Sequence, residues 1–84
     1  MSHVTIYTTQ HCPYCISAKN LLARKGANPT EIDVEASPQH FAQMLHKSKR
    51  RSVPQIFIGD RHVGGFDDLA ILERKGELDA LLQA

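Results

Sequence analysis

Cys12-Pro13-Tyr14-Cys15 directly follows the run Val4-Thr5-Ile6-Tyr7-Thr8 and directly precedes a helical pattern, and these are the only two cysteines in 84 residues. Thiolate is the reactive form of cysteine. The first turn of a helix, with its unpaired N–H groups and the positive end of the macrodipole, is a place that stabilises one. The spacing puts Cys12 at a helix N-cap, which makes it the candidate nucleophile. Pro13 suits the first helical position because a missing N–H costs nothing there. Cys15 then lies one turn in, facing back under Cys12, close enough to close a small disulfide.

Other uses of such a pair compete with redox chemistry. A structural zinc site needs four ligands, and the chain has no second cysteine pair, while His3, His11, His40, His46 and His62 are scattered along it, with only His40 and His46 as close as five intervening residues. A permanent staple across four residues would restrict little of the unfolded chain. Redox chemistry carries most of the weight, with no metal expected.

Length and composition agree. A chain of 84 residues implies one domain, spanning residues 1–84, and a modest core. With 42% hydrophobic residues, 23% charged and a net charge of +1, the composition is that of an ordinary soluble globular protein. It points to neither nucleic acid nor a membrane as partner. Met1-Ser2-His3-Val4 lacks the basic start of a leader, and no run approaches the ~18 apolar residues of a membrane span, so the expected address is the cytoplasm. In a reducing compartment, two thiols are used for catalysis more readily than for stapling.

Working outward, Val4, Ile6 and Tyr7 with the β-branched Thr5 and Thr8 predict a central first strand. Ala18, Leu21 and Leu22 share a face with Cys15 in a helix over 13–25, which Arg24-Lys25-Gly26 ends. Thr30 to Val34 alternates as a half-buried second strand, completing a βαβ unit whose strands are parallel. Ser37-Pro38 opens a second helix over 38–48, with Phe41, Met44, Leu45 and Ser48 on one face. Lys47, Lys49, Arg50 and Arg51 gather at its end, where cations complement the dipole and could draw an anion. Gln55 to Ile58 and Arg61 to Gly64, joined by Gly59-Asp60, predict a β-hairpin. Asp67 is expected to cap a third helix carrying Leu69, Ile71 and Leu72, stopped at Gly76. A short last helix over 77–82 covers the core with Leu78, Leu81 and Leu82.

Three segments in this order, Cys12-Pro13-Tyr14-Cys15 after the Ile6-Tyr7-Thr8 strand, Ser52-Val53-Pro54-Gln55, and Gly64-Gly65-Phe66-Asp67-Asp68-Leu69, resemble the glutaredoxins of the short bacterial dithiol type, along essentially the whole chain. The resemblance implies an α/β protein of thioredoxin-like fold, with a four-stranded mixed sheet in the order 2-1-3-4 flanked by helices, and a cis peptide before Pro54. The residues alone do not specify that bond, since X–Pro bonds are cis in only about 5–6% of cases in folded proteins.

The resemblance further implies a glutathione-dependent thiol–disulfide oxidoreductase, active as a monomer, that reduces glutathionylated proteins and protein disulfides through Cys12 and Cys15. Glutathione is the co-substrate. Val53, next to Pro54, would pair strand-like with its cysteinyl backbone. N–H groups of Phe66 and Asp67 would receive the γ-glutamyl carboxylate, the Asp67 carboxylate would meet its ammonium, and Tyr14 would pack beside the ligand. Thr9 stands where many relatives carry a lysine for the glycyl carboxylate, so that ionic contact is absent, and the Lys49-Arg50-Arg51 run could partly compensate. Two rivals remain: a redoxin of the same shape reduced by thioredoxin reductase, and a module holding an iron–sulfur cluster between two subunits through Cys12 and glutathione. Pro13 and the available Cys15 argue against the cluster, because an internal disulfide competes for the ligand.

Overall fold

The computed structural model describes residues 2–84. The elements follow in the order β1 (Val4–Thr8), α1 (Pro13–Arg24), β2 (Thr30–Asp33), α2 (Pro38–Ser48), β3 (Gln55–Ile58), β4 (Arg61–Gly64), α3 (Phe66–Arg74) and α4 (Leu78–Gln83). The sheet order is β2-β1-β3-β4. β1 lies parallel to β2, with Ile6 opposite Glu31, and antiparallel to β3, with Ile6 opposite Ile56. The bulky run of β1 is thus central, as its two-sided apolar character predicts.

Alternation along β1 divides the core. Val4 and Ile6 join Ala18, Leu21 and Leu22 of α1, Leu69 and Leu72 of α3, and Leu78 and Leu82 of α4. Tyr7 points the other way, against Phe57 and Met44. Successive strand side chains take opposite faces, so one strand serves both layers.

The helix stops read in the sequence are built as such. At the end of α1, Gly26 has φ +78° and donates to the Ala23 carbonyl at 3.0 Å, while Ala27 donates to Leu22 at 3.0 Å. Gly76 and Glu77 repeat that pattern on Glu73 and Leu72. Both are Schellman closures, in which glycine takes the left-handed position without a Cβ clash. α2 ends differently: Lys49, at φ +62°, is the one non-glycine residue with positive φ among the described residues, and its N–H reaches the Leu45 carbonyl at 2.8 Å.

One expectation is corrected. α3 begins at Phe66 with Gly65 as its N-cap, so Asp67 does not cap it but lies inside its first turn. The cap is made by Asp68, whose Oδ2 accepts the Gly65 N–H at 2.9 Å. Gly64 turns the chain at φ +117°, which starts the helix two residues before the place Asp67 marks. Only the third helical residue can reach back to the N-cap N–H, and that residue is Asp68. Elsewhere the bounds shift by single residues: Lys25 caps α1, Glu77 caps α4, and β2 ends at Asp33.

Candidate active site

Cys12 is the N-cap of α1, in extended backbone at φ −118° and ψ 104°. Its carbonyl accepts the first helical bond from Ile16 at 3.1 Å, and its Sγ accepts the Cys15 N–H at 3.2 Å. A sulfur held against an amide at the positive end of a helix is in the surroundings that solvate a negative charge. Cys12 is half-buried and Cys15 buried, and both are free thiols.

The two sulfurs differ sharply in environment. Cys15 is 1% exposed, and burial pushes its thiol up to about 12, with the hydrogen bond to Cys12 acting in the same direction. A Thr9 backbone hydrogen bond and the charge of Lys19 act weakly against these.

A cleft of about 300 Å³ opens beside Cys12. Tyr14 of α1 forms one wall, Ser52, Val53 and Pro54 before β3 another, and Gly65 to Asp68 at the start of α3 the third, with Arg50 at the rim. The Val53–Pro54 peptide is cis. The Val53 carbonyl lies 3.8 Å from the Cys12 Sγ, which puts backbone hydrogen-bonding groups next to the thiol. Tyr14 is 63% exposed and stacks on Phe66, ring centroids 6.3 Å apart.

Asp68 organises the far end. Its Oδ2 takes both the Gly65 N–H and the Arg50 guanidinium, the latter at 3.2 Å. The Gly65 hydrogen bond holds its carboxyl below the usual carboxylate range, and Arg50 assists. The loop itself is held from beneath: fully buried Gln55 donates to the Ser52 carbonyl at 3.0 Å and takes His62 Nε2 at 2.7 Å, so that His62 nitrogen carries the proton. Burial lowers the His62 pKa, with the Arg50 charge adding to it.

Of the residues singled out from the sequence, Tyr14, Val53, Pro54, Phe66 and Asp67 line this cleft, Cys12 borders it through its contact with the Val53 carbonyl, and Cys15 lies under Cys12. Thr9 is half-buried and offers its backbone to Cys15, while its side chain is outside the cleft lining. Sequence reasoning missed Asp68 as the cap, the Gln55–His62 pair, and a polar trio of Thr8, Lys19 and Glu31 beside Cys15. The i,i+4 spacing of Cys15 and Lys19 was the available signal for the trio. A second cavity, of about 350 Å³, lies by Tyr7, Phe57 and His62. The chemistry belongs to the smaller cleft, because its wall residue Val53 is the one that meets the Cys12 sulfur.

The glutaredoxin family model matches residues 4–63, which covers most of the chain and both cysteines. The chain belongs to the glutaredoxin family. It is 55% identical over 84 residues to a glutaredoxin of Pseudomonas aeruginosa, with the whole of both chains covered. It is 45% identical to glutaredoxin 3 of Escherichia coli K12 over 83 residues, covering 99% of this chain and all of the relative. A buckwheat glutaredoxin, solved as its glutathione complex, superposes with a TM-score of 0.88 at 28% identity, covering 98% of this chain and 77% of that one. The fold is therefore thioredoxin-like, and this glutaredoxin carries the family's redox-active cysteine pair.

Proposed function

We propose that this glutaredoxin is a glutathione-dependent oxidoreductase that reduces glutathionylated proteins and protein disulfides. The observation that carries the reading is a cleft with an amide-held sulfur, Cys12, against the Val53 backbone, and a second, buried thiol within reach beneath it. Cys12, as thiolate, attacks the glutathionyl sulfur of a protein mixed disulfide. The protein thiol leaves and Cys12 carries glutathione, which a second glutathione removes as the oxidised dimer. With a protein disulfide, Cys15 attacks the Cys12 sulfur instead, closing the internal disulfide and freeing the substrate.

The cleft suits glutathione as an extended peptide. Its cysteinyl backbone pairs with Val53 beside Pro54, its γ-glutamyl carboxylate meets the Phe66 and Asp67 N–H groups at the start of α3, and its ammonium meets the Asp67 carboxylate. Tyr14 covers the ligand from the side. Thr9 leaves the glycyl end without a lysine. The protein works as a cytoplasmic monomer on glutathione and cysteine-bearing proteins, with no part for nucleic acid or membrane.

The decisive assay couples reduction of a glutathionylated protein to glutathione and glutathione reductase, with thioredoxin reductase alone as the comparison. Turnover is expected only in the first system. Cys12→Ser is expected to abolish reduction of both substrate types, whereas Cys15→Ser keeps deglutathionylation and loses protein-disulfide reduction. Equal loss in both variants, or turnover with thioredoxin reductase alone, refutes the proposal.

A further inference from the structure

Resolution by Cys15 poses a problem of its own, because a buried thiol must become a thiolate before it can attack. Nearby, two polar residues, Thr8 and Glu31, stand on a sheet face otherwise filled by Val4 and Ile6, and a third, Lys19, reaches them from α1. Thr8 is 1% exposed, and its hydroxyl donates to Glu31 Oε2 at 2.7 Å. Glu31, opposite Ile6 in the register, shares that face and takes Lys19 Nζ on its two oxygens at 3.0 and 3.3 Å. Lys19 is four residues after Cys15 on α1, so the two are neighbours on one helix face.

We propose that Lys19, held in place by Glu31 and Thr8, is a positioning residue for the resolving step: its ammonium stabilises the negative charge that develops on the Cys15 sulfur during attack on the mixed disulfide at Cys12. This rests on the thiol–disulfide reading above. The step is an exchange in which the Cys12–Cys15 S–S bond forms and the bond from Cys12 to the substrate sulfur breaks. The substrate leaves as thiolate and takes from solvent the proton that Cys15 has given up, with no net change in electron count.

The charged or ionisable groups facing Cys15 are Cys12 and Lys19, with the Thr9 amide also directed at it. Once Cys12 is tied up in a mixed disulfide, its thiol no longer opposes ionisation of Cys15. Burial is then opposed by Lys19 and the Thr9 amide. Glu31, itself held by the Thr8 hydroxyl, fixes the lysine's ammonium, so the charge is in place before reaction rather than recruited during it. Lys19 remains at the surface, its side chain 37% exposed, so the effect is of screened size.

The test follows one adduct. Reduced protein is treated with oxidised glutathione, and the conversion of the Cys12–glutathione adduct into the internal disulfide is followed by acid quenching and mass spectrometry. Lys19→Met is expected to slow that conversion by about two- to fivefold, the size of a partly screened charge effect, and Lys19→Arg to restore it. Raising the salt should slow the wild type and leave Lys19→Met unaffected, a readout that a packing defect does not reproduce. Equal conversion rates in wild type and Lys19→Met, failure of Lys19→Arg to rescue, or the same salt response in both overturns the proposal. Absence of any adduct in the wild type refutes instead the glutathione reading on which it rests.

Discussion

The Cys15 N–H points at the Cys12 Sγ from 3.2 Å while the Cys15 thiol lies buried beneath it, so one residue serves the site twice, through its backbone and through its side chain. With a thiol pushed up to about 12, Cys15 is ionised at pH 8 on the order of one part in ten thousand. Iodoacetamide at pH 8 is therefore expected to label the reduced protein once, at Cys12, with Cys15 modified only after denaturation. Peptide mapping checks this. Early labelling of Cys15 would contradict the division of roles between the two thiols.

Much of this arrangement is legible in the chain. Proline after Cys12 and apolar residues in step with Cys15 fix the helix and the stacking of the thiols, and the two-sided run Val4 to Tyr7 fixes the central strand. Asp67 misled because any acid just before an apolar stretch reads as a cap, whereas the cap depends on the left-handed turn at Gly64 and on which carboxylate can reach back. The cis peptide came from resemblance alone, since local chemistry favours trans. The Thr8–Glu31–Lys19 trio joins three elements far apart in sequence. Only strand register brings Glu31 onto the face of α1, and a short strand of exposed and half-buried residues does not announce its register.

Gly64 is irreplaceable in a way that Gly65 is not. At φ +117° a side chain is strained, and an added Cβ would collide with the Asp68 carboxylate that caps α3. At Gly65 the same Cβ meets only the Pro54 carbonyl, at 3.6 Å. Gly64→Ala is expected to lower stability by about 1–3 kcal/mol, the usual cost of overpacking and backbone strain, and Gly65→Ala by distinctly less. Urea titration of both variants gives the comparison, and equal losses would refute the assignment.

Lys49 offers a gain. A non-glycine residue at φ +62° carries a steric cost that glycine avoids, while glycine also enlarges the freedom of the unfolded chain. At a left-handed helix end the steric saving dominates, so Lys49→Gly is expected to raise stability by about 0.5–1 kcal/mol. The thermal midpoint of variant and wild type measures it, and a lower midpoint would run against the argument.

Acid should act through two carboxylates. Hydrogen bonds from Gly65 to Asp68 and from Thr8 to Glu31 hold both below their ordinary values of 3.8 and 4.5. A depressed carboxylate contributes stability that is complete above its unfolded pKa and is lost as the pH falls through its folded one. Stability is therefore expected to be level above pH 4.5 as far as these groups are concerned, and to fall below it. Asp68→Asn and Glu31→Gln should each flatten that fall. Chemical denaturation at a series of pH values tests it, and an unchanged slope in both variants would exclude these groups as the cause.

The cationic rim bears on how the glycyl carboxylate of glutathione is held. Arg50 lines the cleft but is engaged by Asp68 at the α3 end, and Thr9 lies outside the lining, so no lysine occupies the usual place. Thr9→Lys would add one charge-assisted contact at an exposed rim, worth about 0.2–1 kcal/mol when screened by solvent. That corresponds to a fall in the Michaelis constant for glutathione of about fivefold at most, since 1.4 kcal/mol is tenfold. The gain should shrink as salt rises. Kinetics of wild type and variant at low and high ionic strength decide the matter. An unchanged constant at low salt would mean that Lys49, Arg50 or Arg51 already receives that carboxylate, and Arg50→Gln in the same assay then separates Arg50 from its neighbours: a raised constant points to Arg50, an unchanged one to Lys49 or Arg51.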